Sequence, residues 1–191
     1  MAIFRKLLPG EQGLYRDHLL RLDNQDRYAR FCGMKSDDSI EDYCRGIDWR
    51  FVIIVGCFVD GTLRAVAEVR TDPKAWPGEG ELAVSVEPGF QGRGLGKGAV
   101  QRVMTVARNR AVRSLIVICL PGNRRMQAIV RDFKGALRLE DGEVVGRLDL
   151  GWPDRTSLLA EAIDVSAALF QTLIGGWAPD AVKAPTLRLA A

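Results

Sequence analysis

The chemistry-bearing residues of this chain crowd into one stretch, Val84-Ser85-Val86-Glu87-Pro88-Gly89-Phe90-Gln91-Gly92-Arg93-Gly94-Leu95-Gly96-Lys97-Gly98. It reads as the end of a strand, a Pro-Gly turn and a glycine-rich loop that opens a helix. A helix N-terminus leaves backbone N–H groups unpaired and carries partial positive charge, so such a loop is a ready phosphate cradle. Glycines at 92, 94, 96 and 98 keep side chains away from a bulky polyanion, and Arg93 and Lys97 add charge at the same place. Just upstream, Glu68, Glu79 and Glu81 supply carboxylates of the kind that take protons from amines.

Three phosphate-binding patterns compete for the loop. A nucleoside-triphosphate loop needs Gly five residues before Gly96 and Ser or Thr after Lys97, and these places hold Gln91 and Gly98. Residues 94–99 formally match the dinucleotide pattern GxGxxA, but that motif wants an acid about 20 residues further on, and 114–120 offers none. Gln/Arg-x-x-Gly-x-Gly/Ala fits without exception at Gln91, Gly94 and Gly96. After its Val-x-Pro strand end, this run resembles the acyl-CoA pyrophosphate loop of the GCN5-related N-acetyltransferase (GNAT) family. Residues 20–31, with Arg21-Leu22-Asp23, Arg27-Tyr28 and Phe31, also resemble a stretch in the acetyltransferase domain of bacterial protein-lysine acetyltransferases.

The resemblance implies a reaction: acetyl-CoA donates an acetyl group directly to a primary amine, either a protein lysine or a small amine. The strand at 82–86 would splay from its neighbour, and its free N–H groups, those of Val84 and Val86 among them, would bind the pantetheine arm and the thioester carbonyl oxygen. The amides of Gln91, Gly92, Arg93, Gly94, Leu95, Gly96 and Lys97 would hold the pyrophosphate, and Asn123 would contact the coenzyme arm. A lysine-like amine has a pKa of about 10.4, so a base or a water relay is required near neutral pH. Glu81 matches the base of the protein-lysine acetyltransferases, and Glu68 on the neighbouring strand is the reserve.

One departure bears on the activity. Many members carry a Tyr in the helix after Asn123 to protonate the leaving thiolate, and counting from Asn123 that position holds Val130. The rival function is therefore a non-catalytic acyl-CoA-binding or sensing domain. Cys119, ending an apolar strand, reads as core filling rather than as an acyl-carrying nucleophile. His18, flanked by leucines with no visible acidic, Ser or Cys partner, reads as structural or surface. Asp37, Asp38, Glu41 and Asp42 read as a solvated helix face, with attraction of a cationic acceptor as the sharper alternative.

The elements that must position these groups follow from periodicity. A short strand at 3–7 leads to helices at 11–22, from Asp23 or Asn24 onward, and at 36–47, the last started by Asp38 with Glu41 at capping-box spacing. Strands at 50–59 and 62–70 flank the hairpin turn Asp60-Gly61, and 71–78, with Pro73, Trp76 and Pro77, is a loop. Strand 79–86 places Glu79, Glu81, Ala83 and Ser85 on one face and Leu82, Val84 and Val86 on the other. Then come the loop helix to about 110, burying Leu95, Ala99, Val103, Met104 and Ala107, a strand at 114–120, a helix from Asn123 to 133, and a hairpin of 137–139 and 143–150 turned by Asp141-Gly142. The expectation is an α/β (α+β) fold of the GNAT kind: a mixed, mostly antiparallel sheet of about seven strands flanked by helices. It covers 1–150, and 151–191 forms a C-terminal extension with an amphipathic helix at 156–174. That helix is expected to pack on the domain, with a homodimer contact as the alternative, and the chain from 178 reads as a loose tail.

Composition is consistent with this. A chain of 191 residues, 47% hydrophobic, can bury one sizeable core. A net charge of +3 is too small to argue for nucleic acid, and Arg93, Lys97, Arg102 and Arg108 are expected where a phosphorylated cofactor would sit. Cys32, Cys44, Cys57 and Cys119 are too dispersed for a zinc site or a disulfide framework, and no metal is expected. The lack of a leader-like start or an apolar run of spanning length leads to the expectation of a soluble cytoplasmic protein that does not bind membranes.

Overall fold

The structure, a computed structural model, describes residues 1–72 and 78–175. Pro73, Trp76 and Pro77 and the tail from 178 lie outside the described residues, as do the side chains of Leu169, Phe170, Leu173 and Ile174. Strands β1 (Ala2–Lys6), β2 (Val52–Val59), β3 (Thr62–Thr71), β4 (Glu79–Val86), β5 (Ser114–Cys119), β6 (Ala136–Glu140) and β7 (Glu143–Asp149) form a seven-stranded sheet, order β1-β2-β3-β4-β5-β7-β6, among these residues. Each pairing is antiparallel except β4 with β5, which is parallel.

Helices α1 (Gln12–Leu20), α2 (Asn24–Phe31) and α3 (Asp37–Arg45) precede β2; α4 (Leu95–Asn109) and α5 (Arg124–Asp132) follow β4 and β5; and α6 (Arg155–Gly175) ends the described chain. Two apolar layers result. Ile53, Val55, Ala67, Val69 and Leu82 pack under α4 and α5, whereas Ile54, Phe58 and Val66 pack with Tyr15 and Leu19 of α1 and Ile40 of α3. Strand β2 is an unbroken apolar run because both of its faces are covered.

Local chemistry sets the boundaries. Asp60 and Gly61 both take positive φ, 49° and 76°, as the two-residue hairpin turn between β2 and β3 requires. Asp23 caps α2 by accepting from the Asp26 amide at 2.8 Å. For α3 the expected start at Asp38 is corrected to Ser36, whose Oγ accepts from the Ser39 amide at 3.2 Å. Asp37, Asp38, Glu41 and Asp42 are exposed, with Asp37 paired to Arg27 and Asp42 to Arg45.

Through its described side chains, helix α6 meets α4 by polar contacts. Asp154, paired with Arg108, accepts from the Ser157 amide at 2.7 Å, and Ser157 Oγ donates to Asn109 Oδ1 at 2.6 Å. Arg110 with Glu161 and Arg102 with Asp164 extend the seam along α4. These bonds fix the rotation of the helix and leave Leu158, Leu159 and Ile163 facing solvent, more than half exposed.

Candidate active site

Strands β4 and β5 stay together for three pairs only, Glu79 with Ser114, Gly80 with Leu115 and Glu81 with Ile116. Beyond Glu81, β4 keeps its ladder to β3 as far as Val86, while β5 runs on with β7 to Cys119. The two strands therefore part, and the β4 edge from Leu82 onward has no strand partner on that side. A cleft of about 440 Å³ occupies the opening. Glu81, Leu82, Ala83 and Val84 form one wall, Val117, Ile118 and Cys119 the other. Asn123 and Met126 of α5 close it at one side, and Arg30, Phe31 and Cys32 at the end of α2 close it at the other.

The Gly loop stands at the C-terminal end of β4. Gly92 and Gly94 take φ of 72° and 76° with open space around the missing Cβ, so backbone conformation explains both glycines. Gly94 is the N-cap of α4 and offers no side chain to its first amides. The view that all four glycines clear space for an anion needs correction. A Cβ on Gly96 would come within 3.2 Å of Val86 Cγ2, and one on Gly98 within 2.7 Å of the Phe4 ring, so these two let α4 lie close on the sheet. Gln91 donates to the Val86 carbonyl at 3.0 Å and to Asp26 at 2.8 Å, tying the loop to β4 and α2. Arg93 lies over the Phe90 ring at 5.2 Å and Lys97 pairs with Asp132 at 2.8 Å. Arg102 and Arg108 turn to α6 and the segment before it, which overturns the expectation of four cations at the loop.

Asn123 lines the cleft as the N-cap of α5, with Oδ1 accepting from the Met126 amide at 3.0 Å. Val130 is fully buried under the sheet, so the position that carries a Tyr in many relatives is a core position here. Cys119 is 1% exposed, and burial pushes its thiol up.

The two candidate bases sit in opposite environments. Glu81 is exposed at the cleft, with no ion pair or side-chain hydrogen bond among the described residues. Glu68 is 2% exposed and surrounded by donors. Arg30 reaches Oε2 at 2.9 Å, Tyr43 Oη lies 2.8 Å from both oxygens, Tyr15 donates to Oε2, and Arg70 Nη2 lies 3.1 Å from Oε1. Burial works against the Glu68 charge, but the Arg30 guanidinium and the Tyr15 hydroxyl outweigh it and hold the carboxyl below its ordinary range. Burial likewise pushes the Tyr15 and Tyr43 hydroxyls up, so both remain donors.

Sequence reasoning missed Arg30, Cys32, Tyr43, Arg70 and Glu143, all of which line the cleft. Only Arg30, in the repeat of aromatic and basic residues at 27–31, left a local signal. The reading of His18 as lacking a partner is also overturned. His18 is fully buried, with Nε2 2.8 Å from Ser85 Oγ and Nδ1 3.3 Å from Glu87 Oε1. Burial lowers its pKa and favours neutral imidazole, which donates from Nδ1 to the carboxylate and accepts from the serine. Although these residue types suit nucleophilic chemistry, Ser85 is 6% exposed on the face under α1 and does not line the cleft. The trio fastens α1 to the end of β4.

A mixed sheet whose one parallel pair parts over a cleft, with a glycine-capped helix at the mouth, defines the class of acyl-CoA-handling GNAT proteins. The acetyltransferase (GNAT) family model matches residues 17–134, and the chain belongs to that family. Among solved structures, it is similar to the GNAT domain of S. lividans PAT, at 20% identity and TM-score 0.65 over 76% of this chain and 89% of that one. The ribosomal-protein-S18-alanine N-acetyltransferase of Escherichia coli matches at 14% identity and TM-score 0.60, covering 81% and 97%. The PaiA N-acetyltransferase of Thermoplasma acidophilum, solved with coenzyme A, matches at 13% and 0.57, covering 78% and 99%.

Proposed function

We propose that this protein transfers an acetyl group from acetyl-CoA directly to a primary amine, a protein lysine or a small amine, with Glu81 as general base. The observation that carries the reading is the parting of β4 from β5 beyond Glu81, continuous with the glycine-capped start of α4. The residues fit the group: the β4 edge over 82–86 offers amides without a strand partner, and the first amides of α4 have no side-chain cap. Val84 and Val86 would bind the arm and the carbonyl oxygen, residues 91–97 the pyrophosphate, and Asn123 the arm from the α5 side. The bound thioester supplies an activated acetyl group.

Glu81 stands on the cleft wall, where it would accept the ammonium proton before the neutral nitrogen attacks the thioester carbonyl. The C–S bond then breaks, and the coenzyme thiolate takes the second proton from the attached nitrogen, directly or through water. Glu68 is poorly suited to that task, because four side chains already occupy its oxygens. The sensor reading keeps one supporting observation, the burial of Val130 where many relatives have Tyr. The first test is a melting-temperature comparison with acetyl-CoA, CoA, NADH and ATP. A rise with the two CoA compounds alone supports the reading and leads to an amine screen by thiol release; a rise with NADH or ATP, or none at all, refutes it. Binding without turnover of any amine supports the sensor.

A further inference from the structure

Arg70 and Glu81 are direct partners in the β3–β4 ladder and share one face of the sheet. Opposite charges so placed ordinarily attract one another. Here Arg70 turns back along its own strand instead. Its Nε and Nη2 lie 3.3 and 3.1 Å from Glu68 Oε1, and its guanidinium stands over the Tyr43 ring at 4.9 Å. Burial explains the choice. Glu68 is 2% exposed and Glu81 is exposed, so a guanidinium gains more from the carboxylate that water cannot screen.

Among the described residues, the other charged groups near Glu81 are accounted for as well. Arg30 of α2 is committed to Glu68, and Arg147 of β7 pairs with Glu79 and Asp149. Ile116 is the β5 neighbour, the Cys32 thiol lies at the end of α2, and Glu143 of β7, on the same cleft, has the same sign. If Arg70 were released, it would therefore be, among the described residues, the cation best placed to neutralise Glu81.

We propose that Glu68 is a positioning residue for Glu81: by holding Arg70 it leaves the Glu81 carboxylate free to meet the ammonium of the acceptor. This rests on the reading of Glu81 as base. Glu68 then acts in the reaction through Arg70.

The experiment is the pH profile of kcat/KM for acetyl transfer to the best amine of the screen, in the parent, Glu81→Gln, Arg70→Met, Glu68→Gln and the Glu68→Gln/Arg70→Met double variant. With Glu68→Gln, Arg70 swings to Glu81 and the acid limb moves down by about one pH unit. Arg70→Met alone leaves the limb in place, and the double variant returns it. A purely structural Glu68 would lower Tm and rate without moving the limb. An unmoved limb in Glu68→Gln, or a limb that rises in Arg70→Met alone, overturns the proposal.

If Glu68→Gln does not fold, Glu68→Asp takes its place, keeping a charge for Arg30 but shortening the reach to Arg70. Where no amine is turned over, the same shift is read from the 13C titration of the Glu81 carboxyl. Glu81→Gln at the parent rate overturns the base assignment and this role together. An inactive Glu81→Gln with an unmoved limb in Glu68→Gln overturns the role of Glu68 alone.

Discussion

Glu68 and Glu81 show how burial divides labour between two carboxylates of adjacent strands. One is enclosed and saturated with donors; the other faces the cleft with none among the described residues. Glu81→Gln is expected to lower turnover by about 10²- to 10⁴-fold, the usual worth of a positioned general base, while the melting shift given by acetyl-CoA stays as in the parent. Thiol-release kinetics beside thermal melts check both halves. Gly94→Asp should do the reverse. Asp suits an N-cap and the positive end of a helix, so the unliganded protein should melt no more than a few degrees lower despite the positive φ at this position. Its carboxylate would face the pyrophosphate, and the melting shift with CoA should vanish. A shift of parental size in Gly94→Asp would remove residues 91–97 from the binding site.

Among the elements, the end of α5 and the terminal hairpin approach one another closely. Gly135 sits where α5 gives way to β6, and a Cβ there would meet Val130 and Leu148 at 2.6 Å and the Arg147 carbonyl at 2.8 Å. Because one of these neighbours is backbone, the hairpin itself must yield. Gly135→Ala is expected to cost about 1–3 kcal/mol in urea unfolding, against little change for Gly89→Ala, where space is open. A Gly135→Ala protein as stable as the parent would show that the hairpin slides freely. Element boundaries of this kind were largely legible in the sequence. Asp23 and Asn123 as caps, Asp60-Gly61 and Asp141-Gly142 as turns and the Gly loop before α4 are all decided by neighbours in the chain. The same local reasoning gave the wrong cap for α3, since Ser36 and Asp38 are both competent and only the path of the chain selects between them.

For the whole molecule, the buried polar links between α1 and the sheet set the response to acid. Burial would raise the Glu87 carboxyl, but hydrogen bonds from His18, Arg64 and Arg21 outweigh it and bring it to about 2. A carboxylate depressed on folding contributes stability above its ordinary 4.5, and that contribution is lost as pH falls through 4.5 toward 2. Neutral His18 acts in the same direction at higher pH: the unfolded chain takes a proton below about 6.5 that the folded chain refuses, so stability declines from there downward. Urea midpoints should therefore fall between pH 7.5 and 5.5 and fall more steeply below 4.5. His18→Gln should flatten the upper part of that curve while leaving the lower part. A parent protein whose midpoint is constant from pH 7.5 to 4.5 would refute the assignment of neutral, buried His18.

What the sequence determined by itself is what short-range physics decides: the periods of strands and helices, their caps and turns, and the glycine-rich loop that opens α4. Tertiary structure alone decided the partners of the polar side chains. Tyr15 and Glu68 meet across 53 residues of chain, and His18 meets Ser85 and Glu87 across 67 and 69. Likewise, only the folded chain reveals that α6 docks through Ser157 and Glu161 with Leu158 and Leu159 outward, and that Arg70 forgoes Glu81 for Glu68. The reason is energetic. A surface charge can be satisfied by water, whereas a buried one must take whatever donors the packing of distant elements brings to it, and no local pattern in the chain encodes that choice.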